Sequence, residues 1–177
     1  TIGDIKKSTN KLIGIETPFQ LVIAVFGDSS GAFSCADRIK KRLNSEPLSL
    51  AKAEEAIGKV LQSHYRTSLE SDPVFGLIVG FRDVDGNSAL WRVIGTKLVP
   101  INDFWCDGSG HVLATGICRS LIPHRRSVAV THHLVTQVMR EGRKATYVGG
   151  DLHTWSVRNS DASDPYFTVD NGNAGYL

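Results

Sequence analysis

The sequence predicts an α+β fold in which antiparallel sheets are covered by helices. Two observations support this prediction. Apolar runs of strand length and amphipathic stretches follow one another in the order strand, strand, two helices, three strands, two helices and further strands. Glycine and proline turns separate most of these segments. The chain has 177 residues, enough for one full core, and shows no repeat, so we expect a single domain with a poorly structured tail from about residue 161.

The first half of the chain predicts two strands and then two helices. Residues 11–15 alternate weakly and predict a short strand, while residues 19–26 form a dense apolar run typical of a buried strand. Helical spacing of apolar residues predicts helices over 31–44 and 49–68. The residues expected to face inward are Phe33, Ala36, Ile39 and Leu43 in the first helix, and Ala53, Ala56, Ile57, Val60, Leu61 and Tyr65 in the second.

The second half predicts a three-stranded meander, two more helices and late strands. Leu77, Val79 and Phe81 alternate on one face of the first of these strands, and Asp85-Gly86-Asn87 is typical of a hairpin turn. The expected elements are strands 75–84, 89–94 and 97–101, helices 110–121 and 127–141, and strands 152–158 and 167–169. In the last helix Val130, Leu134, Val135 and Val138 are expected to face inward.

Composition and charge exclude several classes of protein. The hydrophobic content of 41% and charged content of 21% are ordinary for a globular protein. The net charge of +2 is too small to indicate a nucleic acid or a membrane surface as partner. No apolar run approaches the roughly 20 residues of a membrane span, and no signal peptide is visible. We therefore expect a cytoplasmic protein that binds neither nucleic acid nor membrane.

The cysteines and histidines do not indicate a metal site. Cys35, Cys106 and Cys118 have apolar neighbours and predict reduced, buried thiols, and none lies in a CxxC pair. His132 and His133 are adjacent and lack the i,i+4 spacing of a helical zinc pair. We expect these histidines at a surface or an interface.

Two glycine turns, each ending an apolar run and opening a helix, are the main functional signal. One ends at Gly27 and the other is Gly108-Ser109-Gly110. A strand that stops at glycine before a polar cap leaves backbone N–H groups directed at open space, where they can stabilise a negatively charged transition state. With Lys11 just before the first strand, these turns indicate a hydrolase site.

The same residues also allow plainer interpretations. Lys11 could protect an exposed strand edge, and Gly27 could serve only to make a tight turn. Ser109 could be a helix N-cap. Asp107, Ser109 and His111 would be a catalytic triad by composition, but residues this close in sequence rarely reach the required geometry.

The order of elements and both glycine turns resemble the proteasome β-subunit family, most closely its bacterial relative HslV. The resemblance covers about residues 1–160 and implies a four-layer α-β-β-α sandwich of the N-terminal-nucleophile (Ntn) hydrolases. It is carried by Thr1-Ile2-Gly3-Asp4, Asn10-Lys11-Leu12, Phe26-Gly27-Asp28 with the helix at 32–43, the hairpin at 75–86, Asp107-Gly108-Ser109-Gly110 and Tyr147-Val148-Gly149-Gly150.

The resemblance implies a threonine-type peptidase. In such enzymes the nucleophile is the hydroxyl of the first residue and its own α-amine is the general base. Residue by residue, the resemblance makes Lys11 the lysine beside the nucleophile, Gly27 the oxyanion glycine and Ser109 a proton relay. Thr1 matches the segment after the family's first hairpin, so we expect the nucleophile in a hairpin that this sequence lacks. The alternative is Thr1 itself as the nucleophile, although it lies only ten residues before Lys11, which leaves little chain for such a hairpin.

The resemblance also implies partners. The expected substrates are unfolded polypeptides, the expected assembly is a homo-oligomeric ring, and an ATP-dependent unfoldase is a further partner. No cofactor is required, although the backbone carbonyls of Gly142, Ala145 and Val148 match a loop that holds a monovalent cation such as sodium. Ala145 and Val148 stand near the place where eukaryotic enzymes carry Asp and Ser. That departure leaves open a non-catalytic scaffold or ring subunit, and a small-molecule amidase is a third alternative.

Overall fold

The structure, a computed structural model, divides into two compact units. One unit, here called the sheet unit, contains Lys11–Asn102, and the other, the helical unit, contains Asp103–Thr154 and Phe167–Leu177. The prediction of one domain with a loose tail from about residue 161 stays a prediction. The structure describes residues 11–15, 19–27, 29–44, 48–67, 75–108, 110–121, 128–142, 152–153 and 169–170.

The sheet unit is a five-stranded antiparallel sheet in the order β1-β2-β3-β4-β5. Two helices, α1 (Ser29–Leu43) and α2 (Leu50–Thr67), connect β2 to its neighbour β3. The predicted order of elements is confirmed here, with boundaries shifted by one or two residues. The strands are β1 (Leu12–Ile15), β2 (Gln20–Gly27), β3 (Phe75–Arg82), β4 (Ser88–Ile94) and β5 (Lys97–Pro100).

One face of the sheet and both helices enclose the core. Alternate residues of β2 are buried, and each lies opposite a buried residue of β3: Leu21 faces Phe81, Ile23 faces Val79 and Val25 faces Leu77. The predicted stripes of α1 and α2 pack against this face, with Val60 and Tyr65 only half-buried at the margin. Of the residues predicted to face inward, Phe33 is also half-buried, and the buried ones are Ala36, Ile39 and Leu43 in α1, and Ala53, Ala56, Ile57 and Leu61 in α2.

A buried carboxylate joins the β3–β4 hairpin to α2. Asp83 is 3% exposed and accepts hydrogen bonds from the backbone N–H of Asn87 at 2.8 Å, from its side-chain amide at 3.0 Å and from the backbone N–H of Leu50 at 3.2 Å. These hydrogen bonds hold the pKa of Asp83 below its usual value, and the bond from the side-chain amide of Asn87 has the largest effect. They also draw Asp83 into the turn, so that β3 ends at Arg82 and not, as predicted, at Val84.

The helical unit contains two packed helices and a short strand pair. The helices are α3 (His111–Leu121) and α4 (Val128–Gly142), and β6 (Leu152–His153) pairs antiparallel with β7 (Val169–Asp170). The predicted α4 stripe is buried at Val138 and half-buried at Leu134 and Val135, but Val130 is 40% exposed. Residues 154–158, 167 and 168, predicted as strand, lie outside the described residues.

The α+β class with antiparallel sheets is therefore confirmed. In the described parts of the chain, no helix is long and apolar enough to cross a membrane. The basic stretch at the end of α1 has Lys41 and Arg42 exposed and Ile39 buried, the pattern of an amphipathic helix. These cations also lie in the last turn, where they complement the helix dipole.

His64 lies between the two helices of the sheet unit. It is 6% exposed, its Nδ1 is 3.5 Å from Nη1 of Arg38, and its ring meets that of Phe75 edge-on with centroids 5.6 Å apart. Arginine can only donate a hydrogen bond, so Nδ1 must be an acceptor and the imidazole is neutral. Burial, and secondarily the charge of Arg38, lower the pKa of His64 below the usual value of a histidine.

The buried neutral histidine predicts a loss of stability in mild acid. Because the folded-state pKa of His64 is lower than the unfolded value near 6.5, the unfolded chain binds the proton more readily as the pH falls through that value. The free energy of unfolding should therefore decrease between pH 7.5 and pH 5, and His64→Gln should remove part of that decrease. Urea unfolding of both proteins across this range measures the difference; parallel pH curves would contradict the prediction.

Candidate functional site

Lys11 and Gly27 lie at the same end of the sheet. The backbone N–H of Val25 donates to the carbonyl of Lys11 at 2.9 Å, which places Lys11 opposite Val25 in the β1–β2 ladder. Gly27 lies two residues further along β2, about 7 Å at the usual strand rise. Both residues are exposed. Their proximity suits a lysine and an oxyanion donor of one site, and these roles stay predictions.

Gly27 reverses the chain between strand and helix. Its φ of 80° lies in the left-handed region, which residues with a side chain rarely adopt. The turn is tight, because β2 ends at Gly27 and α1 begins at Ser29. The N-terminal end of α1 carries the positive pole of the helix dipole. An anion formed beside Gly27 would therefore meet a favourable field.

The ring of Phe26 is held against the neighbouring strand next to Gly27. Phe26 lies opposite Gly76 in the β2–β3 ladder, on the face away from Leu77 and Val25. A Cβ added to Gly76 would be 2.1 Å from Cε2 and Cζ of Phe26. The missing side chain of Gly76 thus makes the space that the ring occupies. The pattern of apolar residues in the sequence does not reveal this contact.

Aromatic side chains gather at the same end of the sheet. Phe75 lies opposite Gly27, and its ring is stacked on that of Tyr65 with centroids 6.1 Å apart. An open groove runs beside this cluster, on the α2 side. Neither Lys11 nor Gly27 lines it; its lining residues are Gln62, Tyr65, Arg66 and Thr96.

The second glycine turn belongs to the helical unit. Ser109 lies outside the described residues, so its predicted relay role stays a prediction. Gly108 has a φ of 88°, and its carbonyl accepts from the backbone N–H of His111 at 3.1 Å and lies 2.9 Å from His111 Nδ1. Asp107 accepts from Trp105 Nε1 at 3.1 Å and from the N–H of Gly108 at 2.8 Å. The side chains of Asp107 and His111 thus bond to partners within the turn, and the interpretation of these residues and Ser109 stays a prediction.

The candidate cation loop is only partly visible. Gly142 is buried at the C-terminal end of α4, whereas Ala145 and Val148 lie outside the described residues. The prediction of a cation held by their carbonyls stays a prediction. Among the described residues, no group of three or more His, Cys, Asp or Glu side chains could hold a metal ion. His132 is half-buried and His133 is exposed on α4.

The structure brings together two cysteines that the sequence did not connect. Cys106, before α3, and Cys118, within α3, have their sulfur atoms 3.7 Å apart. Cys35 and Cys118 are buried as predicted, but Cys106 is only half-buried. All three are free thiols. A separation of twelve residues carries no sequence signal for such a contact.

Comparison with solved structures defines the class of fold. No protein-family model and no curated protein sequence matches the chain. Anbu (ancestral beta-subunit) from Yersinia bercovieri matches with a TM-score of 0.70 and 14% identity over 83% of this chain and 68% of that one. The Anbu complex of Pseudomonas aeruginosa, solved as a helical assembly, matches with a TM-score of 0.68 and 15% identity, over the same shares of the two chains.

A third match belongs to the same group. An Anbu mutant (Gly-1) from Hyphomicrobium sp. strain MC1 has a TM-score of 0.68 and 14% identity over 82% of this chain and 68% of that one. At these identities the likeness shows the fold alone. The chain therefore has a proteasome-like Ntn fold, shared with Anbu proteins.

The closer assignment to the proteasome β-subunits and HslV is wrong, because the matching structures are Anbu proteins, a distinct family. The residues that carried the resemblance explain the error. They are a lysine before a strand, a strand that ends at glycine and a Gly-Ser-Gly turn before a helix, which are short local patterns. Such patterns do not distinguish one family with this fold from another.

The space around two glycines predicts opposite effects of their substitution by alanine on stability. Gly76→Ala should lower the free energy of unfolding by about 1–3 kcal/mol, because the ring and the strand must move apart. Gly58→Ala, in α2 where an added Cβ meets nothing within 4 Å, should raise it by about 0.5–1 kcal/mol. Urea unfolding measures both changes.

A double-mutant cycle tests the stated cause. In a Phe26→Ala background the cost of Gly76→Ala should be much smaller, because the ring that it meets is gone. An equal cost in both backgrounds would show that the substitution acts in some other way.

Proposed function

We propose that this chain is a subunit of a threonine-type peptidase with a proteasome-like fold, which hydrolyses peptide bonds of unfolded polypeptides. The observation that carries the proposal is the pairing of β1 with β2, which puts exposed Lys11 and the left-handed Gly27 at one end of the sheet. The fold shared with Anbu, an ancestral beta-subunit, supports it.

Each group would contribute one part of the chemistry. The nucleophile is the hydroxyl of an N-terminal threonine of the mature protein, and its α-amine takes the hydroxyl proton. The ammonium group of Lys11 favours the deprotonated forms of both. The oxyanion of the tetrahedral intermediate is stabilised by the N–H of Gly27 and by the positive end of α1. The amine then returns the proton to the leaving nitrogen.

The proposal includes a homo-oligomeric assembly. The Anbu complex of Pseudomonas aeruginosa forms a helical assembly. In this chain, α3 exposes Val112 (74%) and Leu113 (42%), and α4 exposes Met139 (38%). These apolar side chains are candidates for burial in an assembly. A cytoplasmic location, an ATP-dependent unfoldase and a monovalent cation at Gly142 are compatible parts of this proposal.

A non-catalytic subunit of such an assembly is the second candidate. The observation that favours it is the helical arrangement of the Pseudomonas aeruginosa complex, since an open helix does not by itself form a closed chamber. An assembled protein that neither hydrolyses peptides nor reacts with a threonine-directed epoxyketone would establish this alternative. Hydrolysis of small amides by a monomer would instead indicate an amidase.

Removal of the Lys11 ammonium group should abolish most of the activity. In the complete mature protein, Lys11→Ala should lower kcat/KM for a fluorogenic peptide by about 100-fold or more, because the base loses its electrostatic support. The limb of the pH profile that reports the base should move to higher pH. Lys97→Ala is the matched control, because it removes another exposed lysine at the start of a strand. It should leave kcat/KM and the pH profile unchanged. Equal effects of the two substitutions would contradict a role for Lys11.

A charge on α3 should disrupt the assembly. Val112→Asp places a carboxylate on an exposed apolar side chain, so in an oligomer built through this face it should lower the mass measured by light scattering toward that of the subunit. Val84→Asp is the control, because Val84 is also exposed (55%) but lies in the β3–β4 turn. An unchanged mass for Val112→Asp would exclude this face as the interface.

A further inference from the structure

Cys106 and Cys118 are positioned to react with each other. Their sulfur atoms are 3.7 Å apart, compared with about 2.05 Å in a disulfide. Bond formation therefore needs the sulfur atoms to approach by less than 2 Å, which is within the reach of a side-chain rotation. Cys35, by contrast, lies in the core of the sheet unit.

The segment that carries Cys106 is held along α3. Cys118 is the eighth residue of the helix, about 10 Å from its start at the usual rise, so the chain before the helix must run back beside it. Hydrogen bonds fix this path: Asp107 accepts from Trp105, and the Gly108 carbonyl accepts from the N–H of His111. The two thiols are thus brought together by the fold before any reaction.

The two thiols differ in environment. Cys118 is 4% exposed, and burial, with the neighbouring Cys106 and Asp103, raises its pKa to about 12. Its thiol therefore keeps its proton. Cys106 is half-buried, so of the two residues it is the more open to a small oxidant. This combination fits a pair in which Cys106 reacts first with the oxidant and Cys118 then forms a disulfide with it.

We propose that Cys106 and Cys118 form a redox-active pair that reacts with hydroperoxides to give an intramolecular disulfide. The Cys106 thiolate attacks one oxygen of the peroxide and breaks the O–O bond, which leaves a sulfenic acid on Cys106. The other oxygen leaves and is protonated, to water from hydrogen peroxide or to an alcohol from an organic hydroperoxide. The sulfur of Cys118 then attacks that of Cys106, and its proton leaves with the displaced hydroxide as water. Two thiols lose two electrons, and the peroxide takes up both.

The disulfide would enclose the second glycine turn. The closed ring of chain runs from Cys106 to Cys118 and includes Gly108, Gly110 and the first two turns of α3. Oxidation would therefore restrain the start of this helix. The thiol reaction itself uses neither Lys11 nor Gly27, so it can be tested whether or not the chain has the proposed peptidase activity.

The test counts thiols in the full chain. The reduced protein is treated with one equivalent of hydrogen peroxide, quenched in acid, denatured and alkylated with iodoacetamide. Mass spectrometry should find one alkylated cysteine, Cys35, where the reduced protein has three, and a peptide pair joined through Cys106 and Cys118. The yield should not depend on protein concentration, and dithiothreitol should restore all three sites.

Two variants separate the role of Cys106 from that of Cys118. In Cys118→Ala, dimedone should trap a sulfenic acid at Cys106, while Cys106→Ser should leave Cys118 alkylatable after the same treatment. Circular dichroism should show that both variants are folded. Three intact thiols in the wild type after excess peroxide, or overoxidation of Cys106 with Cys118 still free, would overturn the proposal.

Discussion

The register of β2 is the constraint on which the sheet unit depends. Leu21, Ile23 and Val25 can be buried against α1 and α2 only if they occupy one face. A shift of one residue would turn Val22, Ala24 and Phe26 toward the helices, and every cross-strand pair would change face. Because β2 is held in this one register between β1 and β3, its packing also fixes the place in the sheet where it ends. The positions of Gly27 and Lys11 follow from that packing, together with the hydrogen bond that the Lys11 carbonyl accepts from the N–H of Val25.

Periodicity in the sequence was sufficient to predict most of the elements. Strands β2 and β3 and helices α1 and α2 have strong apolar patterns, and all four lie within a few residues of their predicted ranges. The contacts that link elements were not predictable, because they depend on a partner distant in sequence. Asp83 bonds to Leu50, and Phe26 fills the space above Gly76. Nothing in the local sequence of either pair identifies its partner.

For the candidate site, the sequence was sufficient to select two residues, while their roles stay predictions. Local chemistry identified Lys11 and Gly27 as candidates, because a glycine that ends a buried strand before a helix signals a tight turn. The antiparallel pairing then put both residues at one end of the sheet. The specific family could not be obtained in the same way. Turn glycines and strand lengths report local geometry, and local geometry does not identify one family among those with a similar fold.

The two glycine turns are stabilised in different ways, and this difference matters for what can alter them. The turn at Gly27 is attached to a strand paired on both sides and buried against two helices. Its geometry can change only if that core changes. The turn at Gly108 is held by hydrogen bonds among exposed neighbours, including Trp105 to Asp107 and His111 to Gly108. Water competes for such bonds, so each contributes little to stability. A covalent link between Cys106 and Cys118 would therefore restrain the second turn far more than any comparable bond could restrain the first.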